Sequence, residues 1–300
     1  MMLVHSNKKD FSWFSGILLV LLTLFSFGLV FLLLWALMSA FKTSDAFDMD
    51  ALAFPAPGQW TFSNFTEIWY QMVIEVQNIF DPNPHYVGVD VMFLYSLVYA
   101  GGCAFVQTFT TVTMAYISAR YPSPLSKIID SIVLVTLIMP VVGNTASLLQ
   151  VMHFLHLYDN ILGAFVMKCA FNNVYYFIFR AAFSRVPRDY AESASIDGAG
   201  HFHVYTSIYL PIIAPLFWTI FLLLFISYWN DYQVPYLFFP DQPTLALGLF
   251  ALANYPIQNG GKLPTIQIAS GIAVFIPIFI LFMAFRKKIM SNIDEGGVKG

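Results

Sequence analysis

Glu192-Ser193-Ala194-Ser195-Ile196-Asp197-Gly198-Ala199, then eight residues of spacer, then Ile208-Tyr209-Leu210-Pro211, form the one substantial polar stretch between two long apolar runs in the second half of the chain. Ala, Ser, Glu and Ile ahead of Asp197 suit a short helix, Gly198 can take the left-handed conformation that ends it, and the chain can restart helically from Phe202. The stretch therefore reads as two short helices joined at a glycine. Such an element sits at a membrane surface with one face free.

The flanking composition makes that surface a membrane. Of 300 residues 58% are hydrophobic and 10% charged, with 31 Phe, and the mean hydropathy of +0.69 exceeds that of soluble domains. An all-α, multi-span membrane protein is the class implied. The net charge of −3 comes with no basic patch, which excludes nucleic-acid binding. Cys103 and Cys169 both fall in apolar runs, so they read as small buried residues and not as a disulfide or a metal cage.

Working outward, the chain divides into a polar head (1–13), a first span (14–41), an acidic, proline-punctuated outer loop (42–90) and a second span (91–119). A third span (127–150) carries Pro140 as an expected kink, and a fourth covers 161–183. The central polar segment (187–206), a fifth span (207–230), an outer loop (231–264), a sixth span (265–285) and a polar tail (286–300) complete it, with 91–285 as the transmembrane core. Six spans put both termini on one side. Lys8, Lys9, Arg120, Lys127, Arg180, Arg185, Arg188, Arg286, Lys287, Lys288 and Lys299 share that side, against Lys42 and Lys262 on the other, so it is expected to be cytoplasmic.

Chemistry is scarce. No phosphate-binding Gly-x-x-x-x-Gly-Lys-Ser/Thr loop is present, since Gly261-Lys262 is followed by Leu263, and no Gly-x-Ser-Gly or His-Glu-x-x-His string occurs. His153, His156 and Asp159 recur in steps of three, which drift around a helix, and no fourth ligand is evident, so they read as headgroup-boundary residues and no metal site is expected. Lys168 lies inside the fourth span, with snorkelling toward the outer interface as its preferred explanation, and Asp130 at a span end reads as solvated. The spans hold too few deep acidic residues for a proton-coupled carrier.

The opening stretch resembles the Glu-Ala-Ala, two residues, Asp-Gly-Ala, eight residues, Ile-x-Leu-Pro signature of permease subunits of bacterial binding-protein-dependent ABC importers. Glu192, Ala194, Asp197, Gly198, Ala199, Ile208, Leu210 and Pro211 are in register, and Ser193 replaces the usual first Ala. Three further stretches resemble the carbohydrate branch, and within it the smaller maltose-type permease. They are Phe54-Pro55 with Trp60-Thr61-Phe62-Ser63-Asn64-Phe65, then Trp229-Asn230-Asp231-Tyr232 with Pro235, and the closing Gly296-Gly297-Val298-Lys299-Gly300.

That resemblance implies a type I importer fold and a set of partners: a second permease subunit forming a heterodimer, two ATPase subunits that bind ATP and Mg, and an extracellular solute-binding protein. This chain itself would bind no cofactor and catalyse nothing. The resemblance further implies that Glu192, Ala194, Asp197, Gly198, Ala199 and Gly200 form a coupling helix docked on the ATPase, with Glu192 and Asp197 meeting either the partner or Arg185 and Arg188. Gly296, Gly297, Val298 and Lys299 would reach between the ATPase subunits, and the loop with Asn254, Tyr255, Gln258 and Asn259 would face the binding protein.

Trp229, Asn230, Asp231 and Tyr232 offer the aromatic faces, amide and carboxylate that sugars need, and are candidates for the substrate pathway or its gate. For Trp229 and Tyr232 an interfacial anchoring role is equally open. A non-sugar cargo such as a polyol or glycerol phosphate derivative, and a stand-alone carrier or channel, are the competing functions. Outer-loop residues 71–90 match no pattern.

Overall fold

A computed structural model of the chain describes residues 13–76, 85–139, 143–254 and 264–296, the last of these as backbone alone from 286 onward. It divides into two compact units, one drawn from Met1–Ile68 and Gly261–Ala273 and the other from Trp69–Gly260 and Val274–Gly300. Each is described by itself.

In the first unit, α1 (Trp13–Ala40) is apolar on every side and leaves Leu18, Leu21, Phe25 and Leu32 exposed, as a helix solvated by lipid tails should. Its C-terminal end carries the usual set of unpaired carbonyls. Asn64, at the start of α3 (Ser63–Gln71), answers them. Its Nδ2 donates to Ala40 O at 2.8 Å and Lys42 O at 2.7 Å, and the side chain is buried. The Lys42 ammonium, also buried, donates to the carbonyls of Asp50 (3.0 Å) and Ala51 (3.1 Å), just past α2 (Ser44–Met49). Trp60 and Lys42 form a single antiparallel bridge, and Phe41 packs against Phe62 and Phe65. The Trp60–Phe65 pattern is thus the cap that ends α1.

The second unit opens with a two-stranded antiparallel sheet, β1 (Ile74–Val76) and β2 (His85–Val87), within the stretch that matched no pattern. Its centre is α4 (Val89–Arg120). Small side chains along α4, Ser96, Ala100, Cys103, Ala104, Thr108, Thr111 and Ala115, are buried and recur in steps of three and four. Such a stripe lets neighbouring helices approach closely, which is how helices associate in lipid. The helices that use it most are α8 (Val174–Arg185) and α11 (Leu210–Trp229).

Four helical runs are long and apolar enough to cross a bilayer among the described residues: α1, α4, His201–Trp229 and Pro264–Phe285. The other two expected spans are not single helices. Over 127–150 the chain forms α5 (Pro124–Ile138) and α6 (Thr145–Phe154), and the expected kink at Pro140 lies outside the described residues. Met139, next to that proline, has already left the helix with ψ 115, as steric clash with a proline ring favours.

Over 161–183 the chain forms α7 (Ile161–Lys168) and α8, separated by Cys169–Asn173. Asn172 and Asn173 are weak helix formers, and Asn173 Nδ2 bonds Thr111 Oγ1 of α4 at 2.9 Å instead of supporting a continuous helix.

Two boundaries also move. The fifth span starts at α10 (His201–Val204), six residues before the expected 207, and runs through a π turn, Tyr205–Tyr209, into α11. Pro211 has no N–H to give and its ring crowds the preceding turn, and a widened turn there relieves both. After α12 (Gln233–Phe238) and α13 (Leu245–Asn254), the last helix, α14 (Pro264–Gly296), continues beyond the expected end at 285.

The α6–α7 corner is tightly tied. Asp159 N donates to Phe238 O (2.7 Å), Asp241 N to Asp159 Oδ1 (3.0 Å) and Ile161 N to Gln242 Oε1 (2.9 Å). A Cβ at Gly163 would lie 2.2 Å from Leu157 O, so only glycine fits there.

Burial together with the neighbouring Asp159 carboxylate raises the Asp241 pKa from 3.8 to about 6. Between those values the folded state holds the proton that the unfolded chain has lost, so stability rises as pH falls from above 6 toward 4. Asp241→Asn should raise the melting temperature at pH 7.5 and abolish the wild-type gain on acidification; a retained gain would place its source elsewhere. Asn64→Ala leaves two carbonyls at the end of α1 without donors and should cost about 1–3 kcal/mol, read as a lower melting temperature of the detergent-solubilised chain.

Candidate functional site

The segment between α8 and α11 is built as its residues dictate. After Val186 and Pro187, α9 (Asp189–Ile196) starts with Asp189 and Glu192 in its first turn, where carboxylates favour the helix dipole. It ends in a paired cap: Gly198 N donates to Ser195 O at 3.1 Å and Ala199 N to Ala194 O at 2.9 Å, with Gly198 at φ +86°. That conformation costs an L-residue about 1–2 kcal/mol, which explains the glycine. Gly200 then precedes α10 with extended backbone and accepts from Val204 N at 3.0 Å.

Both ends of the segment are pinned to α4. The Arg120 guanidinium donates to Val186 O and lies 4.4 Å over the Tyr209 ring. Tyr121 Oη and His201 Nδ1 are 3.0 Å apart. Tyr116 packs on Tyr205 and Tyr209, with centroids at 4.6 and 5.2 Å. Between the pins, α9 buries none of its residues. Ile196 is 86% exposed and Phe202 78% exposed, an apolar pair left in the open on either side of the Gly198 turn. Behind it Arg120, Tyr121, Arg188, Glu192, His201 and Tyr209 line an open cleft of about 360 Å³.

Glu192, Asp197, Gly198 and Gly200 are exposed, and Ala194 and Ala199 half-buried. Among the described residues neither Glu192 nor Asp197 pairs with Arg185 or Arg188, so of the two expected partnerships the one within the chain is not formed.

One group of residues was not singled out as a site by the sequence. Asp130, expected to be solvated, accepts from Tyr176 Oη (2.7 Å) and Ser118 Oγ (3.1 Å) and pairs with Arg180 at 2.9 Å. It thereby ties α4, α5 and α8 together just above the segment. Ser118 and Tyr176 lie 12 and 46 residues away along the chain and Arg180 farther still, and no local pattern announces them.

The proposed pathway residues separate. Trp229 is buried, donates Nε1–H to Val274 O at 3.1 Å and packs on Phe93 and Phe225. Asp231 accepts Tyr99 Oη–H at 2.8 Å and caps α12 through Gln233 N and Val234 N. Both hold the fold. Asn230 is exposed and donates to Ile226 O, and Tyr232 stacks on Phe250 at 4.3 Å with an exposed edge. Asn254 ends α13 exposed, while Tyr255, Gln258 and Asn259 lie outside the described residues, as do Gly297, Val298 and Lys299 of the tail; Gly296 is the last residue of α14.

His153 stacks on Tyr158 at 4.0 Å. Among the described residues no three His, Cys, Asp or Glu side chains are placed to share an ion.

Residues 111–294, which contain the pinned segment and its Gly198 turn, match the family model described as "Binding-protein-dependent transport system inner membrane component". The chain belongs to this family. It is therefore an inner-membrane permease of a binding-protein-dependent ABC importer, a transport subunit and not a catalytic one, and such systems include an ATPase and a binding protein.

Relatives of the permease include the melibiose/raffinose/stachyose import permease protein MelC of Bacillus subtilis, 24% identical over 81% of this chain and 83% of MelC. The diacetylchitobiose uptake system permease protein NgcG of Streptomyces coelicolor is 25% identical over 94% of this chain and 88% of its own. In fold the permease is similar to a chain of a bacterial ABC transporter involved in import of the acidic polysaccharide alginate, with TM-score 0.74, 17% identity, and 95% and 99% of the two chains covered.

Removing the Asp130 carboxylate leaves Tyr176 and Ser118 without their acceptor and the half-exposed Arg180 without its partner, so Asp130→Ala in the permease should destabilise it by about 1–2 kcal/mol. Thermal unfolding in detergent measures this; an unchanged midpoint would show the network to be solvated after all.

Proposed function

We propose that this permease forms half of the translocation pathway for a sugar or oligosaccharide, and that the α9–α10 segment docks onto a separate ATPase. The observation that carries the reading is the exposed apolar pair, Ile196 and Phe202, on a mount pinned at both ends by Arg120 and Tyr121. An exposed apolar pair on a polar segment is what a protein interface anchors on. A docked element must also be stiff if it is to move helices.

The remaining partners follow the same reading. A second permease completes the pathway, two ATPase subunits carry the ATP and Mg, and an extracellular binding protein delivers the cargo to the side opposite α9. The cationic residues around 120–127 and 180–188 favour a cytoplasmic position for α9, and both termini fall on that side. Sugar as cargo is supported by what the MelC and NgcG names state of those relatives. The stretch 161–183, although broken at Cys169–Asn173, still crosses the bilayer in this reading, since α7 and α8 together supply about 30 Å of helix. With 127–150 it brings the total to six crossings.

Ile196→Asp and Gly198→Pro test the docking. Each should leave the permease inserted and reduce binding-protein-stimulated ATP hydrolysis of the co-purified importer at least tenfold, a loss in the range of one interface anchor. Full stimulation in both variants would overturn the docking role. Uptake that survives deletion of the co-eluting ATPase would turn the reading toward a stand-alone carrier, and uptake of polyols in place of sugars would correct the cargo.

A further inference from the structure

Lys168 is the last residue of α7, at the break that interrupts the stretch expected to be the fourth span. Its depth can be read from α4. Tyr228 Oη donates to Gln107 Oε1, and Thr110 Oγ1 lies 3.5 Å from Ala170 O, so the break is level with residues 107–110, past the midpoint of Val89–Arg120. A lysine at that depth sits about 12 Å along α7 from Asn160, which caps the helix at the outer corner. Its ammonium stands 5.1 Å over the Tyr228 ring.

The break that follows this cation is polar and incompletely satisfied. Backbone that leaves the helix at membrane depth is tolerated only where it is buried in protein or lines water. Asn173 closes the break with its Nδ2 on Thr111, yet its buried Oδ1 has no partner among the described residues. Lys168 itself has no paired carboxylate and no hydrogen-bond acceptor among those residues. Asp231, the acid on the neighbouring helix end, is already committed to Tyr99 and to the backbone of α12. A tyrosine ring attracts an ammonium by about 1–2 kcal/mol, too little to replace a counter-charge in hydrocarbon. A protein that keeps such a charge uncompensated leaves the counter-charge to something that passes by.

We propose that Lys168 is a cargo-contacting cation of the translocation pathway, and that the saccharide this permease carries bears an acidic group. The inference rests on the permease reading above and narrows its substrate class. A ring carboxylate and a sugar phosphate both present the required anion. The break interrupts the helix beside an exposed Cys169, and Lys168 supplies the charge that favours an acidic cargo over a neutral one.

Cys169, exposed and adjacent to Lys168, provides a reporter, since the other cysteine, Cys103, is buried. In native membranes holding the whole importer, membrane-impermeant thiol reagents carrying a sulfonate and a trimethylammonium group are compared. If Lys168 faces water, Cys169 should react several-fold faster with the anionic reagent. Lys168→Gln should bring the ratio close to one, and Lys168→Arg should keep it. A uronate-containing oligosaccharide or a sugar phosphate should slow the labelling, each tested separately to identify the anion, while a neutral oligosaccharide of equal length should not. Labelling confined to lipid-soluble maleimides, or a ratio that Lys168→Gln leaves unchanged, would overturn the proposal.

Transport gives the second readout. The KM for the acidic cargo should rise about tenfold in Lys168→Gln, with kcat little changed. Equal loss of acidic and neutral uptake would assign Lys168 a structural role. Failure of the permease reading would appear differently, as ATPase-independent uptake or none in the wild type, while the labelling ratio still reports on Lys168.

Discussion

Hydrocarbon offers a peptide group no hydrogen-bond partner, and leaving one unpaired there costs several kcal/mol. That cost governs where this chain can stop being helical. It lets α1 be apolar all round and featureless, because its backbone is satisfied internally, and it concentrates the tight caps where helices end: Asn64 at the end of α1, Asn160 at the start of α7, and the Gly198 turn after α9. The interruption at Cys169–Asn173 conforms to the same rule. It is placed against the polar face of α4, where Thr110 and Thr111 meet its backbone and side chains.

α4 serves as the frame for both ends of the molecule's mechanics. Its small-residue stripe receives α8 and α11 in close packing, and its last residue Arg120 and the following Tyr121 reach the segment between them. A load applied to α9 therefore does not bend a loop. It meets a capped helix flanked by two ties, the Val186 carbonyl at the end of α8 held by a guanidinium and His201 at the start of α10 held by a tyrosine. The Tyr116, Tyr205 and Tyr209 rings fill the space between, and the π turn ahead of Pro211 passes the chain into α11 without a hinge of glycines.

What the sequence disclosed and what it withheld divide by range. The Gly198 turn was legible because its cause is local: a glycine two residues past a short helix, with the φ that only glycine takes at little cost. Four of the expected spans were legible because a long apolar run has few alternatives. The interruption in 127–150 was announced only as a kink at Pro140, and the break in 161–183 was not legible at all, since hydropathy averages over a window and a few polar residues at a turn hardly lower it. Asp130 was misread for a related reason, as Tyr176 and Arg180 reach it only once α8 is packed on α4 and α5. Trp229 and Asp231 were legible as important but not as to why. Aromatic and acidic residues at a span end suit a sugar, an interface or a core equally, and burial of Trp229 against Val274 O decides for the core.

The position of the Asp130–Arg180 pair bears on how firmly α8 is held. α8 has 12 residues and spans about 18 Å, running from the interruption at Cys169–Asn173 down to the pinned segment. Arg180 lies in its second half and is held to α5 through Asp130 and to α4 through Ser118. The second half of α8 is thus braced against α5 and α4, and the interruption at Cys169–Asn173 bounds it above as the turn at Val186–Arg188 does below. Packed elements with two arrangements transmit displacement, whereas a flexible joint absorbs it. In the reading proposed above, the part of α8 nearest the ATPase is the half braced by Arg180, and the part of the fourth crossing that meets cargo is the interruption beside Lys168.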